Sequence, residues 1–230
     1  NFFENQENMT HDDIVRWKFQ RYVKDYLRVI KSVDDSVGEI LDYLEANDLM
    51  DNTMIVYTSD QGFYMGEHGW FDKRFMYEQS FRTPLIIHYP GNKGANISNA
   101  LVQNLDFGPT FLDIAGVEKA DNMYGQSLLP ILEKDGKEPK NWRDVLYYHF
   151  YDDTAEHNVM RHDGIFDRRY KLIHFYDENG IIPGYDEFYD LEKDPNELNN
   201  LIDSPEYKSL IDNYKEKLSN KRSQIGVLEY

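Results

Sequence analysis

The sequence predicts an α/β fold in which helices flank a mixed sheet, followed by a small antiparallel sheet with a C-terminal helix. Three observations support it: a long amphipathic segment near the start, two short strand-like runs in the first half, and short aromatic segments between turn residues in the second. Strands that alternate with helices are typical of parallel or mixed sheets. With 230 residues, 40% of them hydrophobic, the chain is large enough to bury a core.

The first half is predicted to contain two helices and two strands. Apolar residues recur at three- and four-residue steps over 11–47, which indicates one long helix. The β-branched and aromatic runs at 53–59 and 84–89 are bounded by turn residues, which indicates two buried strands. A short helix over 106–115 follows, and Asp106 is placed to cap its start.

The second half has a different texture. The polar stretch 136–139 predicts a domain boundary, with 1–140 as part of a large domain and 141–230 as a small one. Beyond it, turn residues separate four aromatic segments, which is typical of an antiparallel meander. The segments are 145–151, 158–166, 170–176 and 185–191, and an amphipathic helix over 205–222 follows them.

Composition excludes several classes of protein. The formal net charge is −17, which argues against a nucleic-acid partner because such proteins carry a basic face. The chain has no cysteine, so neither disulfides nor thiolate metal sites are expected within it. No apolar run approaches the roughly 18 residues of a membrane helix, so no membrane span is expected.

The strongest local signal is Ser59-Asp60-Gln61-Gly62, at the end of the first predicted strand. Ligands collect outside the carboxyl ends of strands in α/β sheets. The carboxylate of Asp60 and the amide oxygen of Gln61 suit a hard cation such as Ca²⁺ or Mg²⁺. The alternative is a turn that Asp60 caps and in which Gly62 supplies a positive φ.

A series of short motifs continues from this point in a fixed order: Ser59-Asp60-x-Gly62, Gly66-Glu67-His68-Gly69, Lys73, Tyr77-Glu78, Pro84-Leu85 and Pro90-Gly91. In this order of motifs the sequence resembles the sulfatase family, and particularly N-acetylglucosamine-6-sulfatases and related glycosaminoglycan sulfatases. The resemblance spans essentially the whole chain and implies the C-terminal portion of such an enzyme.

The resemblance assigns roles to three residues. Asp60 and Gln61 match the pair that ligates the divalent cation, usually Ca²⁺, although the family often has Asn or His at the second position. Lys73 matches the lysine that contacts the sulfate, where a cation stabilises charge developing on the transferring group. An ordinary surface lysine is the alternative.

Further candidates are less specific. His68 is a candidate catalytic acid toward the sulfate or the leaving oxygen, or else it braces its loop. His157, Arg161 and His162 are candidate sugar contacts, or else polar residues on a solvated strand face. Relatives often carry an Arg after Gly-Ile where this chain has Phe166, so any sugar contact that this Arg provides is in doubt.

The resemblance also implies that part of the family's active site is missing from this sequence. The family's nucleophile is a formylglycine made from Cys or Ser in a Cys/Ser-x-Pro/Ala-x-Arg motif, which is absent here. The predicted function is therefore part of a sulfuric ester hydrolase that acts on a sulfated carbohydrate and is inactive alone. Alternatives are a phosphodiesterase or phosphonate hydrolase of the same superfamily, or a glycan-binding module without turnover. The family implies a periplasmic or extracellular location in a bacterium.

Overall fold

The computed structural model describes residues 9–92, 94–152, 158–177 and 183–227. In chain order, its α-helices are α1 (His11–Ala46), α2 (Glu78–Phe81), α3 (Phe107–Ile114), α4 (Leu129–Leu132) and α5 (Lys208–Ile225). Its strands are β1 (Ile55–Thr58), β2 (Leu85–His88), β3 (Leu146–Phe150), β4 (Arg161–Phe166), β5 (Tyr170–Tyr176) and β6 (Tyr185–Asp190). Short 3₁₀ turns lie at Met50–Asn52, Glu67–Gly69 and Asn104–Asp106. The predicted elements are thus present, with ends shifted by a few residues.

The long helix α1 begins with a capping box. The Thr10 hydroxyl accepts from the Asp13 amide, and the Asp13 carboxylate accepts from the Thr10 amide at 3.0 Å. Two orphan amides at the helix start are thereby satisfied. No residue of α1 is buried, and Leu27, Val29 and Ile40 are each more than half exposed.

The predicted first-half sheet is represented here by two strands, β1 and β2, which pair in an antiparallel sheet. The predicted cap of the short helix α3 was wrong in one respect. Asp106 makes no side-chain cap bond to α3. Its buried carboxylate instead accepts two hydrogen bonds of 2.5 Å from Arg143 and further ones from the amides of Gln103 and Gln126. It therefore ties together segments distant in sequence.

The four strands of the second half form an antiparallel meander in the order β3-β4-β5-β6, as predicted. One face of the sheet packs against α5, where Ile165, Leu172 and Phe188 meet Tyr214 in one apolar cluster. The opposite face contributes Ile173, Phe175 and Tyr189 to a second cluster, which contains Met76. Both faces of the sheet are therefore covered, one by α5 and the other by a cluster that includes Met76.

The described residues fall into two compact units. The first contains α1 with segments Tyr64–Phe71 and Ile87–Gly91. The second contains Tyr57–Phe63, Asp72–Ile86 and the described residues from Asn92 onward. The domain boundary near residue 140 stays a prediction. Among the helices described, none is both long and apolar enough to cross a membrane.

Candidate active-site cleft

Asp60 and Gln61 lie on the loop that leaves β1. The Asp60 side chain is exposed, and its Oδ1 accepts from the Gln61 amide at 3.0 Å. The Ser59 hydroxyl donates to the Gln61 carbonyl at 2.7 Å, and the Asn104 side-chain amide donates to the Asp60 carbonyl at 2.7 Å. Backbone groups of the loop are therefore held by neighbouring side chains.

Gly62 is required by close packing and not by a left-handed backbone, which corrects the reason expected for it. The φ angle of Gly62 is not positive. A Cβ at this position would lie 2.0 Å from the Gln79 carbonyl oxygen. The Gly62 amide donates to the Ser80 carbonyl at 2.8 Å. Only glycine allows this loop to approach α2 so closely.

Lys73 lies on an exposed loop whose backbone is fixed. Its amide donates to Oδ1 of Asp72 at 2.7 Å, and its carbonyl accepts from the buried Ser80 hydroxyl at 2.5 Å. Asp72 also pairs with Arg74. The main chain that carries the Lys73 side chain is therefore anchored, while the side chain itself is exposed.

The second unit contains a cleft of about 1050 Å³ that brings three of the predicted residues together. Asp60, Gln61 and Lys73 all line it. They arrive on two different loops, so their common location is a result of folding and not of sequence proximity. The cleft is large enough for a sugar-sized ligand.

The cleft also contains basic residues to which the sequence analysis gave no role. Arg82 and Arg168 line it together with Lys73, while Asp60 and Glu78 are its carboxylates. Local cations can make an anion site in a chain with a net charge of −17. Arg168 donates to Glu138 at 2.5 Å, which offsets part of its charge. Arg82 lies just before the Pro84-Leu85 of the family motif, but a single cation in the sequence gives no functional signal.

The residue at which this chain departs from the family pattern also lines the cleft. Phe166 lines it, where relatives often carry an Arg. Arg168, two residues further, lines it as well and has a positive φ of 86°. The cleft thus has an apolar ring at one position and a guanidinium at the next residue but one.

His68 lies in the first unit, in the 3₁₀ turn Glu67–Gly69, with a positive φ of 52°. Its ring contacts Tyr64 edge-on, with centroids 6.2 Å apart. The turn is closed by a bond of 2.8 Å from the Gly66 amide to the Trp70 carbonyl. These contacts fit a loop-bracing role, and the catalytic role of His68 stays a prediction.

The proposed sugar contacts on the small sheet require a correction at His162. It is fully buried, among the rings of Phe75, Phe150 and Phe175, so it reaches neither a sugar nor solvent. Burial lowers its pKa to about 4, so the ring is neutral near pH 7. Arg161 begins β4 and is partly exposed. His157 lies outside the described residues.

The donor set at Asp60 and Gln61 fits a hard divalent cation. A carboxylate and an amide oxygen are ligands that Ca²⁺ accepts, but Ca²⁺ takes six to eight oxygens. Within the four described ranges, no three His, Cys, Asp or Glu side chains are grouped to hold a metal ion. These two residues can therefore supply only part of a coordination shell.

Two protein-family models match overlapping parts of the chain. The family model described as "Sulfatase" matches residues 1–117, and the model "N-sulphoglucosamine sulphohydrolase, C-terminal" matches residues 66–224. The chain belongs to the sulfatase family. It is a partial sulfatase region, and the fold expected from the family resemblance is confirmed.

Two bacterial relatives show the degree of similarity. An N-acetylglucosamine-6-O-sulfatase of Bacteroides thetaiotaomicron is 52% identical, over 84% of this chain and 34% of the relative. An arylsulfatase of Clostridium perfringens is 34% identical, over 81% of this chain and 37% of the relative. The sulfatase chain spans about a third of the length of the curated relatives that it matches.

Two solved structures match the fold. One, in complex with its substrate D-glucosamine-2-N,6-O-disulfate, superposes with a TM-score of 0.91 and 46% identity, over 97% of this chain and 44% of that one. A phosphonate monoester hydrolase of Agrobacterium radiobacter superposes with a TM-score of 0.74 and 31% identity, over 85% of this chain and 40% of that one. The fold therefore also occurs in an enzyme named for a different ester.

Proposed function

We propose that this sulfatase region supplies the cation-binding and sulfate-binding residues of an enzyme that removes the 6-O-sulfate from glucosamine residues of a glycan. The observation that carries the proposal is the common location of Asp60, Gln61 and Lys73 in one cleft. The substrate class is supported by the 52% identity to an N-acetylglucosamine-6-O-sulfatase and by the glucosamine disulfate bound to the structural neighbour.

In this proposal Asp60 and Gln61 hold Ca²⁺ together with ligands outside the described residues. When bound, the ion would supply positive charge beside the sulfate ester. The Asp60 carbonyl is held by Asn104 and the Gln61 carbonyl by Ser59, so the backbone that carries the two ligands is preorganised. Preorganisation reduces the free energy needed to order the ligands when the cation binds.

Lys73 acts on the sulfuryl group. Its ammonium donates to sulfuryl oxygens, and the attraction increases as negative charge develops there and on the leaving oxygen. Because the Lys73 carbonyl is fixed by Ser80, only the side chain needs to adjust. The formylglycine nucleophile that the family resemblance implies is expected outside these 230 residues.

Substrate selection and location are parts of the same proposal. Arg82 and Arg168 are candidates for contacts with further anionic groups of a sulfated glycan, because both line the cleft. His157 and Arg161 stay candidate sugar contacts. The bacterial glycan sulfatase relatives support a periplasmic or extracellular location.

The deciding experiment measures sulfate release by the complete enzyme from N-acetylglucosamine-6-sulfate, with and without a calcium chelator. Calcium-dependent release from this sugar is expected, with much slower release from 3-O- and 4-O-sulfated sugars. A phosphonate monoester is the rival substrate, since a phosphonate hydrolase shares the fold. Faster turnover of the phosphonate than of any sulfate ester would refute the proposal, and glycan binding without turnover would favour a binding module.

A further inference from the structure

Lys171 is a cation buried completely within the second unit. Its side chain is 0% exposed, and its ammonium donates to the Met76 carbonyl at 2.9 Å and to Glu78 at 2.8 Å. The carboxylate of Glu197, also 0% exposed, lies 2.7 Å away. The buried ammonium thus has two hydrogen-bond acceptors and a second carboxylate within ion-pair distance, the compensation that a buried charge requires.

The same network holds the start of helix α2. The Glu78 amide, at the first turn of α2, donates to Oε2 of Glu197 at 2.7 Å, while the Glu78 side chain is held by Lys171. Aromatic faces complete the enclosure, because Phe81 and Phe166 lie 5.1 and 5.6 Å from the Lys171 ammonium. Strand β5 is therefore bonded to the Glu78 side chain through Lys171, while Glu197 holds the Glu78 backbone amide.

Helix α2 in turn fixes both loops of the cleft. Through its carbonyl, Ser80 accepts from the Gly62 amide at 2.8 Å, and through its hydroxyl it donates to the Lys73 carbonyl at 2.5 Å. Ser80 is 6% exposed, so water does not replace these bonds readily. A displacement of α2 would move the loop of the proposed cation ligands and the loop of Lys73 together.

We propose that Lys171 is a positioning residue that, with Glu78 and Glu197, sets helix α2 so that the Asp60–Gln61 loop and Lys73 face the same substrate. The expected effect on catalysis rests on the proposed function. The expected effect on the position of α2 rests only on the contacts described above. Lys171 acts through α2 and is not assigned a contact with substrate.

The test replaces the fully buried pair Lys171–Glu197 so that neither of its two charges remains. The variant Lys171→Met/Glu197→Gln removes the ammonium and keeps an acceptor for the Glu78 amide. The matched control is Arg222→Met/Asp163→Asn, which removes a largely buried bidentate pair (2.6 and 2.6 Å) on the sheet face that packs against α5. Both variants are studied in the complete enzyme at temperatures where circular dichroism shows them folded.

The first measurement is amide hydrogen exchange. The Gly62 amide and the segment 73–80 are expected to exchange faster in the Lys171 variant and at the unaltered rate in the Arg222 variant. Equal acceleration in both variants would mean general destabilisation, and no acceleration would mean that Lys171 does not hold α2. Either result overturns the proposal, and the exchange measurement does not depend on whether the enzyme is active.

The second measurement is a double-mutant cycle with Lys73→Ala. The Lys171 variant is expected to lower kcat by up to about 10²-fold, the loss typical of an ångström-scale misplacement. In the Lys73→Ala background it should lose much less, because the group that it positions is already gone. Equal losses in both backgrounds would overturn the proposal. An unaltered enzyme that releases no sulfate would refute the proposed function, while hydrogen exchange would still decide the role of Lys171.

Discussion

The Gly62 amide donates to the Ser80 carbonyl at 2.8 Å, and a methyl group on Gly62 would lie 2.0 Å from the Gln79 carbonyl oxygen. The loop with the proposed cation ligands therefore lies directly against the backbone of α2. Because backbone atoms cannot rotate away as a side chain can, any larger residue here must displace the loop.

Gly62→Ala is expected to weaken calcium binding by the complete enzyme by about 10–100-fold, the range seen when groups that orient metal ligands are disturbed. It should also lower the free energy of unfolding by about 1–3 kcal/mol, as overpacking does. Isothermal titration with Ca²⁺ and urea unfolding measure the two effects.

The matched control is Gly38→Ala in α1. No atom lies within 4 Å of a Cβ at Gly38, and alanine is preferred over glycine in a helix by roughly 0.5–1 kcal/mol. This variant should be slightly more stable and bind Ca²⁺ unchanged. If Gly62→Ala also binds Ca²⁺ unchanged, the loop does not carry the cation ligands.

Lys73→Ala should lower kcat by about 10²–10³ while leaving the melting temperature nearly unchanged, because the side chain is exposed and its loss removes one electrostatic contact. Lys73→Arg should rescue little, since a broad guanidinium replaces a compact ammonium. Steady-state kinetics with a sulfated sugar and an aryl sulfate measure both variants.

Lys24→Ala is the control, an exposed lysine on α1 that the family resemblance gives no role. Its kinetics should match the unaltered enzyme. Wild-type kcat for Lys73→Ala on both substrates would remove Lys73 from the sulfate site.

Local patterns in the sequence predicted the elements well, because apolar periodicity and turn residues act over a few positions. The meander and α5 were recognisable for that reason, and the motif around Asp60 and Lys73 was recognisable from the family. The network of Lys171 with Glu78 and Glu197 was not predicted. Its members are separated by up to 119 residues, and nothing local distinguishes a buried Lys from an exposed one.

The error at His162 has a similar physical origin. A His between Arg and Asp looks like part of a polar surface, but alternation along β4 turns its ring to the face that packs against Phe75 and Phe175. Arg161 and Asp163 point the other way, where Asp163 pairs with Arg222. The sequence does not show which face of a two-sided sheet is covered by aromatic residues.

The isolated 230-residue protein is expected to associate and to release no sulfate. Helix α1 exposes Val29, Val33 and Ile40 at 63%, 43% and 59% along one face, and clustered apolar surface promotes association. Sedimentation velocity should show a mass that rises with concentration, and Val29→Glu/Ile40→Glu should reduce the rise. The control is Ile97→Glu, an isolated apolar residue that is 94% exposed. If the unaltered protein stays monomeric at high concentration, the prediction is wrong.

The last prediction concerns stability at low pH. Burial lowers the pKa of His162 to about 4, against about 6.5 for histidine in an unfolded chain. Between these values the unfolded chain binds a proton that the folded protein does not, so the free energy of unfolding falls as pH decreases from 6.5 to 4. The full effect is about 3 kcal/mol, and it levels off below pH 4.

His162→Phe should remove this component, because phenylalanine fills the same aromatic site and does not titrate. It loses the bond of 2.9 Å that Nδ1–H donates to the Met160 carbonyl, a nearly pH-independent loss of about 1 kcal/mol. Burial also lowers the pKa of His149, which is present in both proteins, so the difference between the two curves isolates His162. Urea unfolding from pH 4 to pH 7.5 measures both curves. The variant should be the less stable protein at pH 7.5 and the more stable one near pH 4; parallel curves would show that His162 is not held neutral by burial.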